Sequence, residues 1–197
     1  MRMYKLVGLT GRTGSGKSIA REVFEECRYK VIDADSLARE AIDYKIVKGD
    51  ILAAFGVDLL KADGEIKRGE LAKRAFKNEG SVKTLNSIIH PHIASVFLSR
   101  LKTLSEEGNK KILFDAPQLF EAGLDIVCDS IIAVGASEEL RIARITERDG
   151  ITEEMAKRRL NIQFSDGFFK ENCDYFIENN SSVEKLKAEV REIIPRV

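Results

Sequence analysis

Short apolar runs alternate along this chain with longer stretches in which apolar residues recur at helical spacing. The runs predict five buried strands, at residues 4–9, 29–33, 111–115, 130–134 and 175–177. Helical stretches separate most of these strands, an order typical of a parallel sheet covered by helices. We therefore predict a three-layer α/β/α fold with a mostly parallel, five-stranded sheet.

The segment between residues 56 and 105 departs from that alternation because nothing in it resembles a strand. Helices are predicted at residues 45–55, 70–77 and 82–89, with a turn at Asp63-Gly64. Pro91 disfavours helical geometry at His90 and suits the first turn of a new helix, predicted to run to about residue 104. We interpret residues 56–105 as a helical insert that forms a substrate lobe.

The length of 197 residues fits a single domain with inserted lobes. We expect a nucleotide-binding core at about residues 1–55, 106–136 and 164–197, the substrate lobe at about 56–105, and a lid at about 137–163. An apolar content of 44% and a charged content of 32% are typical of a soluble globular protein.

The chain carries 32 basic and 32 acidic residues, so no overall field favours nucleic acid or an anionic membrane. Its three cysteines show neither metal-ligand spacing nor the even number typical of a disulfide framework. No apolar run reaches the roughly 18 residues of a membrane span, and the first strand begins too early for a signal peptide. We expect a cytoplasmic protein, a monomer or weak homo-oligomer, without nucleic-acid or membrane partners.

Between the first strand and the first helix lies the motif G-x-x-x-x-G-K-S, the sequence of a phosphate-binding loop. Backbone N–H groups of such a loop converge on phosphate oxygens at a helix N-terminus. The lysine addresses the β- and γ-phosphates, and the serine hydroxyl ligates Mg²⁺. The sequence therefore predicts binding of a nucleoside triphosphate, expected to be ATP, with Mg²⁺. The predicted contact residues are Gly11, Arg12, Thr13, Gly14, Ser15, Gly16, Lys17, Ser18 and Ile19.

Three carboxylates follow predicted strands, at the edge of the sheet where open α/β folds bind ligands. If the chain stays extended through Asp33 and Asp35, both side chains point the same way, towards the triphosphate. The alternative is that Asp33 ends a strand while Asp35 or Ser36 caps the next helix. Asp115 resembles the carboxylate that holds Mg²⁺ in such enzymes.

Two arginine-rich helices are predicted at residues 137–148 and 152–163. Arg141, Arg144 and Arg148 share one face of the first helix. Such a row is often a salt-bridged surface, but phosphoryl transfer also needs cations at the γ-phosphate and a lid that excludes water. For His90, both a structural and a chemical role are open.

Two classes of protein with this loop lack support in the sequence. No aspartate has a glycine three residues later, and the Asn-Lys pair at Asn109 leads to Ile112 where a switch GTPase has aspartate. A Ser-Gly-Gly signature of transporter ATPases is also missing. A small kinase fits better, with a nucleoside or nucleotide kinase as the nearer rival and a nucleotide-dependent switch as the more distant one.

The sequence resembles the dephospho-CoA kinase family. The matching segments are residues 8–18, the Val31–Asp35 region with Ala38-Arg39, Leu85-Asn86 with His90-Pro91, Asp115–Glu121, the arginines 144, 148 and 159 with Gln163, and Asp174, Ile177 and Asn179. Together they span most of residues 6–180. The family transfers the ATP γ-phosphoryl group to the ribose 3′-hydroxyl of dephospho-CoA.

The resemblance implies roles for individual residues. Asp35 matches the catalytic carboxylate, which orients the ribose hydroxyl or accepts its proton, and Asp33 would assist with metal or substrate. Arg144 and Arg148 match catalytic lid arginines, alongside Lys17. Asn179 matches the adenine-binding region for ATP. The resemblance assigns dephospho-CoA contacts to Asp35, Asn86, His90 and Pro117, and metal contacts to Ser18 and Asp115.

The chain departs from the family pattern at several positions. Arg12-Thr13 replaces the commoner Gly-Ile inside the loop, Gln118 replaces a usual Leu, and Cys173 replaces a usual Ala. Phe169 stands where the family commonly carries Lys, with Lys170 adjacent. The Phe169 difference bears on the detail of the substrate pocket rather than on the reaction.

Overall fold

A computed structural model describes residues 3–197 of the chain. The strands are β1 (Lys5–Thr10), β2 (Lys30–Asp33), β3 (Lys111–Asp115), β4 (Ser130–Gly135) and β5 (Tyr175–Glu178). They form one sheet in the order β2-β3-β1-β4-β5, in which β1 runs parallel to β3 and β4, and β4 to β5. The predicted α/β fold with a parallel sheet is confirmed.

Helices connect the strands and supply the rest of the regular structure. They are α1 (Lys17–Glu26), α2 (Ala34–Asp43), α3 (Lys45–Phe55), α4 (Arg68–Ala75), α5 (Glu79–Glu106), α6 (Glu138–Asp149), α7 (Glu153–Asn161), α8 (Asp166–Asn172) and α9 (Val183–Ile193). The sequence pattern predicted no helix at α8 or α9. Each of these helices is preceded by a serine, Ser165 or Ser182, whose side chain accepts a backbone N–H of the first turn. This N-cap signal was available in the sequence.

The core of the sheet unit forms where α1 and α9 cover one face of the sheet. Alternate residues of the strands point into this core, together with Val23 and Phe24 of α1 and Leu186 and Val190 of α9. The other face is buried as well, at Leu6, Ile112 and Phe114. Burial on both faces explains why the strands read as continuous apolar runs instead of alternating patterns.

The chain forms two compact units. One comprises residues 3–32 with Leu104–Val197 and contains the sheet; the other is Asp33–Thr103 and is helical. The helical unit thus begins with α2, earlier than the boundary near residue 56 expected for the substrate lobe. The functional division into core, substrate lobe and lid stays a prediction. No helix within residues 3–197 has the length and apolarity that a membrane span requires.

The predicted helix break at His90-Pro91 is wrong. α5 runs without interruption through 28 residues, with Pro91 in its interior. A proline there cannot donate to the carbonyl of Ser87 and crowds it, at a cost of roughly 3 kcal/mol. Apolar side chains on both sides of the proline are buried, including Ile89, Ile93 and Phe97. We infer that burial of this apolar face outweighs the local preference of proline.

The first prediction concerns Pro91→Ala. Alanine restores the missing donor, a gain of about 3 kcal/mol in helix propensity. Loss of the proline constraint on the unfolded chain offsets about 1 kcal/mol of this gain. We expect the free energy of unfolding to rise by about 2 kcal/mol, measured by urea denaturation. The control is Ser95→Ala on an exposed position of the same helix, which should change stability by less than about 0.5 kcal/mol. A destabilised Pro91→Ala variant would contradict this explanation.

Candidate functional site

The segment at residues 11–18, called the phosphate loop below, needs glycine at positions where the backbone takes positive φ. Gly11 has φ 138°, and a Cβ atom there would lie 2.2 Å from the carbonyl oxygen of Val134. Gly16 has φ 95°, and its Cβ would lie 2.3 Å from Nδ2 of Asn179. Both conditions exclude a side chain. The glycines of the motif therefore allow the loop to pack directly against its neighbours.

Two side chains from outside the phosphate loop bind its carbonyl groups. Asn179 lies directly after β5, is only 4% exposed, and donates from Nδ2 to the Ser15 carbonyl at 2.8 Å. Arg144 on α6 donates to the Gly14 carbonyl at 3.1 Å and to the Asn179 carbonyl at 3.2 Å. With loop carbonyls bound from behind, the conformation of the loop is fixed. Asn179 and Arg144, both predicted as site residues, thus contact the phosphate loop.

The loop leads directly into α1, whose first residues are Lys17 and Ser18. The first N–H groups of a helix have no acceptor within the helix, and the helix dipole adds partial positive charge at the same end. A phosphate group is the ligand that such a terminus binds most readily. Lys17 adds a full positive charge to this end of α1.

Asp115 at the end of β3 lies against the basic side chains of α1. Lys17 Nζ contacts Asp115 Oδ1, and Arg21 Nη1 lies 3.5 Å from Asp115 Oδ2. The Asp115 residue is only 5% exposed, which makes the opposite charges important because a buried carboxylate needs compensation. In the sheet, Asp115 pairs with Leu9 of β1, the strand that leads into the phosphate loop. Arg21 was not predicted, although its position four residues after Lys17 puts both on one helix face.

The hydroxyl of Ser18 and the carboxylate of Asp115 are oxygen donors of the kind that Mg²⁺ prefers. Ser18 is exposed at the start of α1. Within residues 3–197 there is no group of three or more His, Cys, Asp or Glu side chains that could hold a metal ion. Mg²⁺ in nucleotide sites is usually held by one or two protein groups together with phosphates and waters. These donors fit such a shared ion rather than a site made by protein alone.

The chain does not stay extended from Asp33 to Asp35, so the expectation that both side chains point the same way is wrong. α2 already begins at Ala34, and Asp33 is its N-cap. Oδ1 of Asp33 accepts the backbone N–H groups of Asp35 at 2.9 Å and of Ser36 at 3.3 Å. The cap is therefore Asp33 itself, not Asp35 or Ser36. Asp35 lies in the first turn of α2, where the helix dipole stabilises an ionised carboxylate.

The residues predicted to bind the acceptor belong to different units. Asp35, Asn86 and His90 are in the helical unit, and Pro117 is in the sheet unit. Asn86 and His90 are four residues apart on α5, and both are half-buried. The carbonyl of Pro117 accepts a long hydrogen bond of 3.4 Å from Thr10 Oγ1.

The arginines of α6 occupy three different environments, although their spacing suggested one row. Arg141 is 2% exposed and donates two hydrogen bonds to Asp166, at 2.7 and 2.9 Å. Arg148 is exposed and pairs with Asp149, which also receives Arg159 at 2.6 Å. The hydrogen bond from Arg148 lowers the pKa of Asp149. Of the α6 arginines, Arg144 alone donates to the phosphate loop in the part of the chain that the structure describes.

Phe169, at the position where the family commonly has lysine, is a core residue. It is 2% exposed, and its ring centroid lies 5.7 Å from Phe168 and 6.0 Å from Phe120. The adjacent Lys170 does not take over this position, because its Nζ binds Glu178 at 2.5 Å and lies over the Phe176 ring. The position at which the resemblance implies a lysine thus holds a buried phenylalanine in contact with two other rings.

The cysteines of this chain form no disulfide, and all three are half-buried. Burial, reinforced by the neighbouring Asp174 charge, raises the pKa of the Cys173 thiol to about 12. The thiolate is the reactive form, so Cys173 is unreactive at neutral pH. Its replacement of the usual alanine is consistent with a packing role.

Two contacts between the phosphate loop and the α7 region had no signal in the sequence. Arg12 Nη2 donates to the Leu160 carbonyl at 2.6 Å, and Gln163 Oε1 accepts the Thr13 N–H at 3.0 Å. In the sequence, only the family resemblance singles out Gln163. The partners are about 150 residues apart in sequence, so only the fold reveals the pairing.

The second prediction compares two Gly→Ala substitutions. At Gly11, backbone strain of about 1–3 kcal/mol adds to the clash with Val134. We expect Gly11→Ala to lower ATP affinity by about tenfold or more, measured by calorimetry, which corresponds to that strain. Gly49 lies inside α3, and a methyl group added there would meet nothing within 4 Å, so Gly49→Ala should stabilise by about 0.5–1 kcal/mol. Equal ATP affinity in Gly11→Ala and the unmodified protein would contradict the packing argument.

Comparisons with known proteins agree with this geometry. The family model described as dephospho-CoA kinase matches residues 5–185. A dephospho-CoA kinase of Corynebacterium glutamicum is 35% identical over 192 residues, 97% of this chain and 96% of the relative. That of Fusobacterium nucleatum is 38% identical over 181 residues, 92% of each chain. The solved structure of dephospho-CoA kinase from Campylobacter jejuni is 28% identical, with a TM-score of 0.72 over 98% of this chain and 96% of that one. The chain belongs to the dephospho-CoA kinase family.

Proposed function

We propose that this protein transfers the γ-phosphoryl group of ATP to the ribose 3′-hydroxyl of dephospho-CoA, giving coenzyme A and ADP. The observation that supports this proposal best is the phosphate loop. Asn179 and Arg144 bind its carbonyls, and Lys17 contacts Asp115 where the loop leads into α1. The family match identifies the acceptor class. A kinase in this family is the function that the geometry supports best.

The phosphate loop binds the triphosphate in this proposal. Its backbone N–H groups and the N-terminus of α1 hold the phosphates, and Lys17 neutralises charge that develops during transfer. Ser18 and Asp115 hold Mg²⁺ together with the phosphates. When bound, that ion neutralises charge on the β- and γ-phosphate oxygens. Because Lys17 contacts Asp115, the two side chains position each other.

Asp35 orients the acceptor hydroxyl and accepts its proton. The transition state of phosphoryl transfer is loose in most analyses, so position matters more than basicity. Asp33 supports this role through the backbone, since its carboxylate accepts the N–H of Asp35 itself. The cap fixes the first turn of α2 and, with it, the direction from which Asp35 reaches the substrate.

The remaining predicted residues complete the proposed substrate contacts. Arg144 and Arg148 provide positive charge from a lid formed by residues 137–163, and Asn179 borders the adenine of ATP. Asn86, His90 and Pro117 contact dephospho-CoA. A cytosolic location, a monomeric or weakly associated state, and the absence of nucleic-acid or membrane partners stay predictions. The balanced charge and the free cysteines support them.

The third prediction tests the phosphate loop. Lys17→Ala removes the charge that stabilises the γ-phosphoryl group, and kcat/KM should fall by about 10²-fold or more. The assay follows ADP release from MgATP with a panel of acceptors, including nucleosides and nucleotides. Release that depends on dephospho-CoA, with the 3′-phosphate of the product identified by mass spectrometry, supports the reaction. Lys185→Ala, on an exposed part of α9, is the control and should keep the original rate. An unchanged rate in Lys17→Ala would contradict the loop assignment.

The fourth prediction tests Asp35. Asp35→Asn keeps the shape of the side chain but removes its charge, so kcat should fall by about 10²-fold or more. ATP affinity should change little, because in this proposal the phosphate loop and not Asp35 binds the triphosphate. Near-normal turnover of Asp35→Asn would remove this residue from the mechanism.

Two matched variants separate chemistry from helix structure. Asp43→Asn, at the other end of α2, breaks an exposed pair with Arg68 and should leave kcat unchanged. Asp33→Asn keeps an oxygen that can cap the helix, since Asn and Asp are equivalent caps. If Asp33 acts by capping, this variant should keep most of the activity, whereas Asp33→Ala should lose it.

A further inference from the structure

The phosphate loop is bound by the end of α7 through consecutive residues. Arg12 reaches out of the loop and donates from Nη2 to the carbonyl of Leu160, at 2.6 Å. Leu160 is in the last turn of α7, and its carbonyl also accepts the backbone N–H of Gln163 at 3.2 Å. A cation at this end also interacts favourably with the helix dipole. Arg12 therefore caps α7 from a position inside the phosphate loop.

The next residue makes a second connection to the same region. The backbone N–H of Thr13 donates to Oε1 of Gln163, two residues after the end of α7. Side chains of α7 itself are held on α6, where Ala156 and Leu160 pack with Ile142 and Ile145. The loop and α7 are thus joined by two hydrogen bonds with no intervening element.

The charge of Arg12 is poorly compensated. Its Nε atom is buried and has no hydrogen-bond partner, and no ion pair joins Arg12 to a carboxylate within residues 3–197. Burial, and after it the neighbouring Arg141, lower the pKa of Arg12. Asp166 and Glu138 act in the opposite direction, but Asp166 is already bound to Arg141 by two hydrogen bonds.

A polyphosphate in the loop would supply the missing negative charge. Arg12 is part of the loop, so an anion bound there would add negative potential at its side chain. The Arg12 guanidinium is partly removed from water. Because buried charges are screened less than exposed ones, its interaction with a bound anion is strong. An occupied loop would therefore favour the arrangement in which Arg12 is buried against the end of α7.

We propose that Arg12 is a positioning residue that couples occupancy of the phosphate loop to the order of α7. With polyphosphate bound, the capped arrangement gains free energy, and α7 opens less often. The inference rests on the assignment of the loop to ATP in the proposed function. It goes beyond that function because a residue where the family commonly has glycine would link the nucleotide to the arginine-bearing segment.

The fifth prediction is a nucleotide-dependent change in amide hydrogen exchange over residues 153–163, measured on the full chain without acceptor. Saturating MgATP should slow exchange there by about tenfold, a typical coupling between two sites. In Arg12→Gln, at ATP concentrations shown by calorimetry to saturate the loop, the slowing should fall below about twofold. Arg12→Lys keeps the charge and should keep part of the effect. With dephospho-CoA added, Arg12→Gln should lower kcat more than it raises the KM for ATP.

Three comparisons make the result decisive. Arg158→Gln removes an exposed arginine of the same helix, paired only with Glu154, and should respond to ATP like the unmodified protein. Arg12→Gly restores the commoner family residue and serves if Arg12→Gln does not fold. An equal loss of protection with and without ATP would mean that Arg12 is only a helix cap, and would overturn the proposal. An unchanged ATP response in both Arg12→Gln and Arg12→Gly would also overturn it.

The exchange experiment needs no phosphoryl transfer, so it separates this inference from the proposed function. ATP-dependent protection that requires Arg12, in a protein that does not phosphorylate dephospho-CoA, would support the inference and contradict the acceptor. Phosphorylation of dephospho-CoA with an Arg12-independent exchange response would do the reverse.

Discussion

The structure depends on close packing between the phosphate loop and the backbone around it. Gly11 lies against the Val134 carbonyl and Gly16 against the Asn179 amide, at separations that leave no space for a Cβ atom. Asn179 then binds the carbonyl of Ser15. A loop that must present N–H groups to a ligand has to direct its carbonyls elsewhere, and buried carbonyls need donors. Asn179 and Arg144 meet this requirement for the carbonyls of Ser15 and Gly14, so the conformation of the loop is held by these hydrogen bonds.

The buried charged side chains near the loop differ in how far a group of opposite charge compensates them. Asp115 is buried but faces two cations, Lys17 and Arg21. Arg141 is buried but receives a carboxylate through two hydrogen bonds. Arg12 is half-buried and, among the contacts within residues 3–197, donates to a helix carbonyl without pairing with a carboxylate. A buried ion that lacks a counter-ion is costly, and an anionic ligand lowers this cost when it binds. Of Asp115, Arg141 and Arg12, the last has no group of opposite charge bound to it among the described residues, which is why the proposal on ligand coupling concerns Arg12.

The sequence predicted the elements that local physics determines. The strand at Lys111–Asp115 and the helix at Lys45–Phe55 occur with the predicted bounds, since continuous apolar runs and helical periodicity are local signals. The phosphate loop and the family were also predicted, and the family match confirms the enzyme class. The break at Pro91 was wrong because burial of apolar residues along α5 is a tertiary effect that no local rule contains. The prediction that the chain stays extended from Asp33 to Asp35 was wrong, because Asp33 ends β2 and also caps α2, which begins at the next residue.

The arginines of α6 show most clearly where sequence reasoning ends. Periodicity placed Arg141, Arg144 and Arg148 on one face, and that much follows from helix geometry. Their roles differ because each meets a partner from another part of the chain: Asp166, the Gly14 carbonyl, or the adjacent Asp149. Spacing within a helix determines which residues share a face, but the charge each one can offer a ligand depends on what it already binds. Arg144 donates to neutral carbonyls, whereas the charges of the other two are already opposed by carboxylates.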